Sequence, residues 1–225
     1  MKNNFSRFFY IFGTLVFISF FALFCAFAGG AGGWEPKNAP VSIKLKKSDK
    51  TMFCGGFVSE NFVITCAHIF SNERIFISEN LHMNKGCFVH IPKNLYVRYG
   101  KNELIATRIY ADFSSDVAVI GLDTSFPKAK IAPATQKTDV YAPTKINRSY
   151  AKTKNLGLVS VGKVKKLKLN FSAEKGLSGY PVYDFSGYVN GIICSYDKTN
   201  GTSYAVVADD ILRAIDEYKR QTFVI

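Results

Sequence analysis

The sequence predicts an all-β protein, two packed β-barrels followed by a single C-terminal helix. Three observations lead there. The chain has 225 residues and is 48% apolar, enough to bury one sizeable core or two smaller ones. Its apolar residues come in short runs broken by Ser, Asn, Gly and Lys clusters. Only one segment, near the end, repeats apolar residues at helical spacing. A charged fraction of 20% with 15% aromatics excludes an intrinsically disordered chain. Five cysteines without paired CxxC spacings exclude a disulfide-dense miniprotein, and no fixed-period repeat is present.

The first segment stands apart from these barrels. Lys2 and Arg7 precede an almost uninterrupted apolar run from Phe8 to Phe27, which ends in Ala26-Phe27-Ala28 before a Gly-rich stretch. Small residues at the first and third positions before the break fit a signal-peptidase site, with cleavage expected after Ala28. An uncleaved membrane anchor is the alternative, since the run is long enough to cross a bilayer. The expected organisation is therefore 1–28 signal peptide or anchor, 29–39 Gly-rich linker, 40–122 first barrel, and 123–225 second barrel with the terminal helix. Either N-terminal reading exports the remainder. Export permits disulfides among Cys54, Cys66, Cys87 and Cys194, but the spacing does not choose a pairing, and free buried thiols are an equal reading.

Val41-Ser-Ile-Lys-Leu45 alternates apolar and polar residues as a half-buried strand does. Phe57-Val58, Phe62–Ile64, Ile75–Ile77, Tyr96–Tyr99 and Val117–Ile120 continue the first set of strands. Leu156–Val161, Val164–Leu169, Val182-Tyr183, Tyr188–Cys194 and Tyr204–Val207 form the second, with turns at Ser186-Gly187 and Asn200-Gly201. From Asp209 to Arg220, Ile211, Leu212, Ile215 and Tyr218 share a helical face, with acids early and Lys219-Arg220 late, as the helix dipole favours.

Three residues could carry chemistry together. His68 follows an apolar strand directly, Asp116 precedes one directly, and Ser178 sits in the Gly-rich turn Gly176-Leu-Ser-Gly-Tyr-Pro181. A serine hydroxyl is a weak nucleophile until a base takes its proton. Imidazole does this near neutral pH, and a carboxylate fixes its tautomer and stabilises the imidazolium. Glycines beside the serine let backbone N–H groups turn toward a developing oxyanion. Taken singly, each has a plainer explanation: a satisfied core histidine, a turn-capping aspartate, a small turn serine. Their joint order and flanks favour the catalytic one.

At this point the sequence resembles the chymotrypsin-like (trypsin-like) serine peptidases. Cys54-Gly-Gly-Phe-Val58 followed by Thr65-Cys-Ala-His68 is similar to their strand leading into the catalytic histidine. Ser115-Asp-Val-Ala-Val119 resembles the aspartate segment, Gly176–Val182 the nucleophile loop, and Gly191-Ile-Ile193 the strand lining the cleft. The resemblance spans Pro40 to Tyr218. It implies two six-stranded antiparallel barrels with a cleft between them, His68 as general base and acid, Asp116 as its orienter, and Ser178 as nucleophile. The N–H groups of Gly176 and Ser178 would form the oxyanion hole. Protein or peptide substrates and no cofactor follow from the same resemblance. It also places Ser172 and Ala173 at the floor of the specificity pocket, with Ile193, Cys194, Ser195 and Tyr196 along its wall. None is charged, which points to a small or medium apolar residue at the cleavage site.

Departures from the family pattern narrow the reading. Leu177 stands where the zymogen branch has an aspartate that pairs with a newly cut N-terminus. Ile69 replaces the cysteine that follows the histidine in animal members. The chain looks closer to bacterial secreted members similar to the glutamyl and Deg peptidases, without a PDZ domain. The alternative function is a catalytically inactive pseudopeptidase acting as a binding module.

The formal charge is +12. From Lys145 to Lys175 nine basic residues (positions 145, 148, 152, 154, 163, 165, 166, 168 and 175) face Glu174 as the only acid. Solvated edge protection explains such a run, and so does attraction to an anionic surface or acidic partner. Nucleic acid is not expected, because no recognition motif accompanies the charge. His82, Cys87 and His90 have loose metal-like spacing, but without a second ligand pair a surface loop is expected and no metal.

Overall fold

The computed structural model describes residues 40–46, 50–71, 75–76, 86–134, 138–144 and 149–222. The N-terminal apolar run, its Gly-rich sequel, His82, Lys145 and Arg148 lie outside the described residues. No helix among the described residues is long and apolar enough to cross a membrane.

Two antiparallel β-systems follow one another along the chain. The first contains β1 (Pro40–Lys46), β2 (Thr51–Ser59), β3 (Phe62–Thr65), β4 (Ile75–Phe76), β5 (Cys87–Val89), β6 (Leu95–Tyr99), β7 (Asn102–Leu104), β8 (Ala106–Asp112) and β9 (Val117–Leu122). They form a curled nine-stranded sheet in the order β4-β5-β8-β9-β3-β2-β1-β6-β7. The second contains β10 (Asp139–Pro143), β11 (Tyr150–Val161), β12 (Val164–Leu169), β13 (Pro181–Tyr183), β14 (Val189–Asp197) and β15 (Thr202–Val207). These six close into a barrel in the order β10-β11-β12-β15-β14-β13. The chain is mostly β with one terminal helix, consistent with the paired-barrel fold its sequence predicts.

Each half has its own apolar core, as the alternation requires. On β1, Val41, Ile43 and Leu45 are buried while Lys44 and Lys46 face water. Val41 and Ile43 pack with Val63, Ile109 and Ile120 in the first core. Leu167 and Leu169 of β12 join Leu177, Tyr180 and Ile193 in the second. Strand β9 is buried along its whole length, because α1 (Ala208–Thr222) covers the face turned away from the core. There the Tyr218 hydroxyl lies so close to Gly121 that a Cβ on that glycine would stand 2.2 Å from it. Phe62 and Phe88 meet the Tyr218 ring edge-on at 6.1 and 6.3 Å.

The helix starts with Asp209 and Asp210 and ends with Lys219 and Arg220, as expected. Its buried face differs by one residue from the sequence reading. Ile211, Ala214, Ile215 and Tyr218 are buried, whereas Leu212 is exposed at the margin of the stripe. The basic run divides. Lys152 pairs with Asp139 at 2.7 Å across the β10–β11 edge, a solvated role, but Lys166 is buried.

Candidate active site

His68 and Asp116 are brought together by the first β-system. Cys66 ends the extended run of β3, and the chain then turns through a single 3-10 turn, Ala67–Phe70. That turn carries His68 across to the loop between β8 and β9, where Asp116 stands. Asp116 accepts a hydrogen bond from the His68 backbone N–H at 2.9 Å. Its carboxylate also lies 2.9 and 3.1 Å from His68 Nδ1. With Nδ1 so engaged, the other ring nitrogen is free to act as a base.

Asp116 reaches this position in a left-handed backbone conformation, φ +65°. Aspartate tolerates that region better than most residues, yet it must be held there. The preceding turn does so. The Asp112 carboxylate accepts from the backbone N–H and hydroxyl of Ser114 at 3.0 and 2.5 Å. It accepts the same pair from Ser115 at 3.3 and 2.6 Å. Burial alone would raise the Asp112 carboxyl, but these bonds outweigh it and leave it below the usual carboxylate range. Asp112 is a site-supporting residue that the sequence reading missed. Its signal was Asp112-Phe-Ser114-Ser115, an aspartate followed by hydroxyls placed to close a turn. On the other side of that turn, Lys166 Nζ donates to the Ser115 carbonyl at 2.9 Å.

Ser178 lies between β12 and β13 of the closed barrel and is tied to β2, the neighbour of the strand that leads toward His68. Its carbonyl accepts the Gly55 N–H at 2.7 Å, and the Gly55 carbonyl accepts the Thr65 hydroxyl at 2.7 Å. Gly176 and Gly179 bracket it at φ +95° and +82°, conformations that favour glycine. The loop spends its N–H groups selectively. Leu177 donates to Glu174, Gly179 to Ile193 and Tyr180 to Leu177. Among the described residues, the N–H groups of Gly176 and Ser178 have no acceptor. Neither His68 nor Asp116 is hydrogen-bonded to Ser178. Such base–nucleophile contacts are often long until substrate is in place.

Leu177 is fully buried in the second core. Leu177 is therefore an apolar anchor for the loop. The expected pocket residues divide. Ala173 and Ile193 are buried in the same core, and the Ala173 N–H donates to Ser203 Oγ at 2.7 Å. Ser172 and Ser195 are exposed, and Tyr196 is half-buried beneath Lys198, whose Nζ is 5.8 Å from the ring centre. Cys194 is buried at a bulge of β14, with Sγ donating to the Tyr204 carbonyl at 3.3 Å.

Cys54, Cys66, Cys87 and Cys194 are all free thiols. Burial pushes the Cys54 thiol up to about 12 and Cys66 well above its ordinary value, the latter helped by the Asp116 carboxylate. Cys66 Sγ, His68 and Asp116 offer donor atoms within 4.8 Å of one another. They fit a metal poorly, because a ligating sulfur must be deprotonated and the Nδ1 atom already faces Asp116. Cys66 Sγ instead donates to the Ile193 carbonyl at 3.1 Å, joining the histidine turn to β14. A separate pocket of about 590 Å³, lined by Glu60, Phe62, Lys128, Tyr188 and Lys219 among others, contains none of the three candidate residues.

The Trypsin family model matches residues 32–211 of the chain. No curated protein matches it. Among solved structures it is similar to the active form of the Rv3671c protease from M. tuberculosis, with 20% identity, 79% of each chain covered and a TM-score of 0.61. An inactivated protease paralogue from the scabies mite matches at 13% identity and TM-score 0.59, covering 81% of this chain and 94% of that one. The catalytically inactive tobacco etch virus protease complexed with substrate matches at 14% identity and TM-score 0.50, covering 76% and 78%. At these identities the likeness is one of fold.

Proposed function

Since the chain belongs to the trypsin family, we propose that it is a serine endopeptidase working through an acyl-enzyme on Ser178. His68 takes the Ser178 proton as the hydroxyl oxygen attacks the scissile carbonyl, and returns it to the leaving amine as the C–N bond breaks. Water, deprotonated by the same imidazole, then releases the acid and restores the serine. Asp116 holds the imidazole and stabilises its charged form. The N–H groups of Gly176 and Ser178 receive the oxyanion.

The observation that carries this reading is the selective use of N–H groups in the Gly176–Tyr180 loop. Leu177 and Tyr180 close the loop on itself, Gly179 ties it to Ile193, and the two N–H groups that the reaction needs are left unspent. Burial of Leu177 supports a loop set without an N-terminal ion pair, and so a peptidase active without proteolytic maturation. The proposal includes export directed by the N-terminal apolar segment, and a preference for small or medium apolar side chains at the cleavage site. It also assigns the basic run to an anionic or acidic surface.

The test is fluorophosphonate labelling of the full-length chain beside Ser178→Ala, with intact mass to count adducts. Labelling of the wild type alone supports an activated Ser178. Hydrolysis retained in a contaminant-free Ser178→Ala protein removes Ser178 from the mechanism. A folded wild type that neither labels nor cleaves supports the binding-module alternative.

A further inference from the structure

Lys166 is 6% exposed, an unusual place for an ammonium group. It stands on β12 of the closed barrel, opposite Val159 on one side and Val206 on the other. Instead of turning to water, as Lys165 does beside it, the side chain crosses to the first β-system. Its Nζ donates to the Ser115 carbonyl at 2.9 Å. Among the described residues it forms no ion pair.

A buried ammonium without a carboxylate partner costs stability, and an apolar chain of the same length would fill that space at less cost. The advantage must lie in what the charge touches. The carbonyl it grips belongs to the peptide that joins Ser115 to Asp116, the residue held at φ +65°. Asp112 fixes the hydroxyls and N–H groups of this turn from one side, and Lys166 fixes its last carbonyl from the other.

We infer that Lys166 is a positioning residue for the His68–Asp116 pair. It pins the Ser115–Asp116 peptide from the opposite barrel, so that docking of the two halves sets the carboxylate that orients the imidazole. The inference rests on the serine-peptidase reading for its rate readouts alone. Lys166 touches no reacting atom and acts through Asp116.

Full-length wild type, Lys166→Met and Ser178→Ala are compared by thermal unfolding, fluorophosphonate labelling, peptide kinetics and low-field proton NMR of the His68 Nδ1–H held on Asp116. The expected Lys166→Met protein melts no lower than wild type. It labels roughly 10- to 100-fold more slowly, a loss typical of a displaced catalytic group, with kcat reduced and KM unchanged. Its low-field resonance is weakened. Labelling equal to wild type overturns the inference. So does a rate loss matched by a fall in melting temperature, which would make Lys166 a structural tie only. If the folded wild type does not label, the serine-peptidase reading fails and the resonance alone decides. A signal weakened in Lys166→Met then upholds the positioning role, and an unchanged one overturns it.

Discussion

Gly179 and Thr65 are in such close contact that a Cβ on the glycine would stand 2.4 Å from the threonine hydroxyl and 2.2 Å from the Gly55 carbonyl. The residue after Ser178 and the strand that delivers His68 therefore share one backbone junction. Neither partner can yield cheaply, since the Thr65 hydroxyl is committed to Gly55 and the Gly55 N–H to Ser178.

Gly179→Ala tests that junction. It adds left-handed strain of about 1–3 kcal/mol to the overlap, so urea unfolding should shift to lower concentration. Fluorophosphonate labelling should fall below detection in whatever fraction remains folded. A variant that labels like the wild type would show that the junction does not hold the serine.

Asp116→Asn separates folding from chemistry. Asparagine accepts the left-handed conformation, and its oxygen can still take the His68 N–H. Its amide cannot accept the Nδ1 proton as the carboxylate does, which favours the wrong tautomer. Turnover should fall on the order of 10³- to 10⁴-fold with the unfolding midpoint little changed. Steady-state kinetics beside circular dichroism reads both.

Asp112 makes the turn acid-sensitive. Its folded carboxyl is held below the ordinary value by Ser114 and Ser115, so its contribution is complete above the unfolded value and lost as pH falls through the folded one. Asp112→Asn should cost about 1–3 kcal/mol at pH 7. The gap to wild type should then narrow below about pH 4. Denaturation at a series of pH values measures it, and a gap independent of pH would contradict the assignment.

The buried thiols should be inert in the native state. With the Cys54 thiol pushed up to about 12, only about one part in 10⁴ is thiolate at pH 8. Iodoacetamide should leave Cys54 and Cys66 unmodified until denaturant is added, while the half-buried Cys87 reacts first among the described cysteines. Peptide mapping after a timed exposure distinguishes them.

The sequence pattern singled out the proposed catalytic residues and gave no sign of those that hold them. His68, Asp116 and Ser178 were legible because each abuts a strand or a Gly-rich turn whose pattern is unmistakable, and because their order along the chain is informative. Asp112 was invisible because its work is local hydrogen bonding, and an Asp-x-Ser-Ser turn looks the same wherever it occurs. Lys166 was one cation among nine. Two adjacent lysines on β12 break the alternation, and nothing in Val164–Leu169 says which of them meets another part of the fold. Strand β8 escaped for a related reason. Its register shifts between Ala106 and Arg108, and the buried portion resumes at Ile109, so no clean period survives. The expected strand over Leu156–Val161 begins earlier, at Tyr150, because its polar first half forms cross-strand bonds with β10 rather than an apolar face.

The proposed base His68 and its carboxylate Asp116 lie before Leu122, and the proposed nucleophile Ser178 lies after Asp139. Severing the chain between those points would give two inert fragments, each lacking what the other has. Hydrolysis would return only on reassociation and would scale with the product of the two fragment concentrations. The recovered rate would then serve as a binding assay for one half of the molecule against the other, with cleaved peptide as its signal.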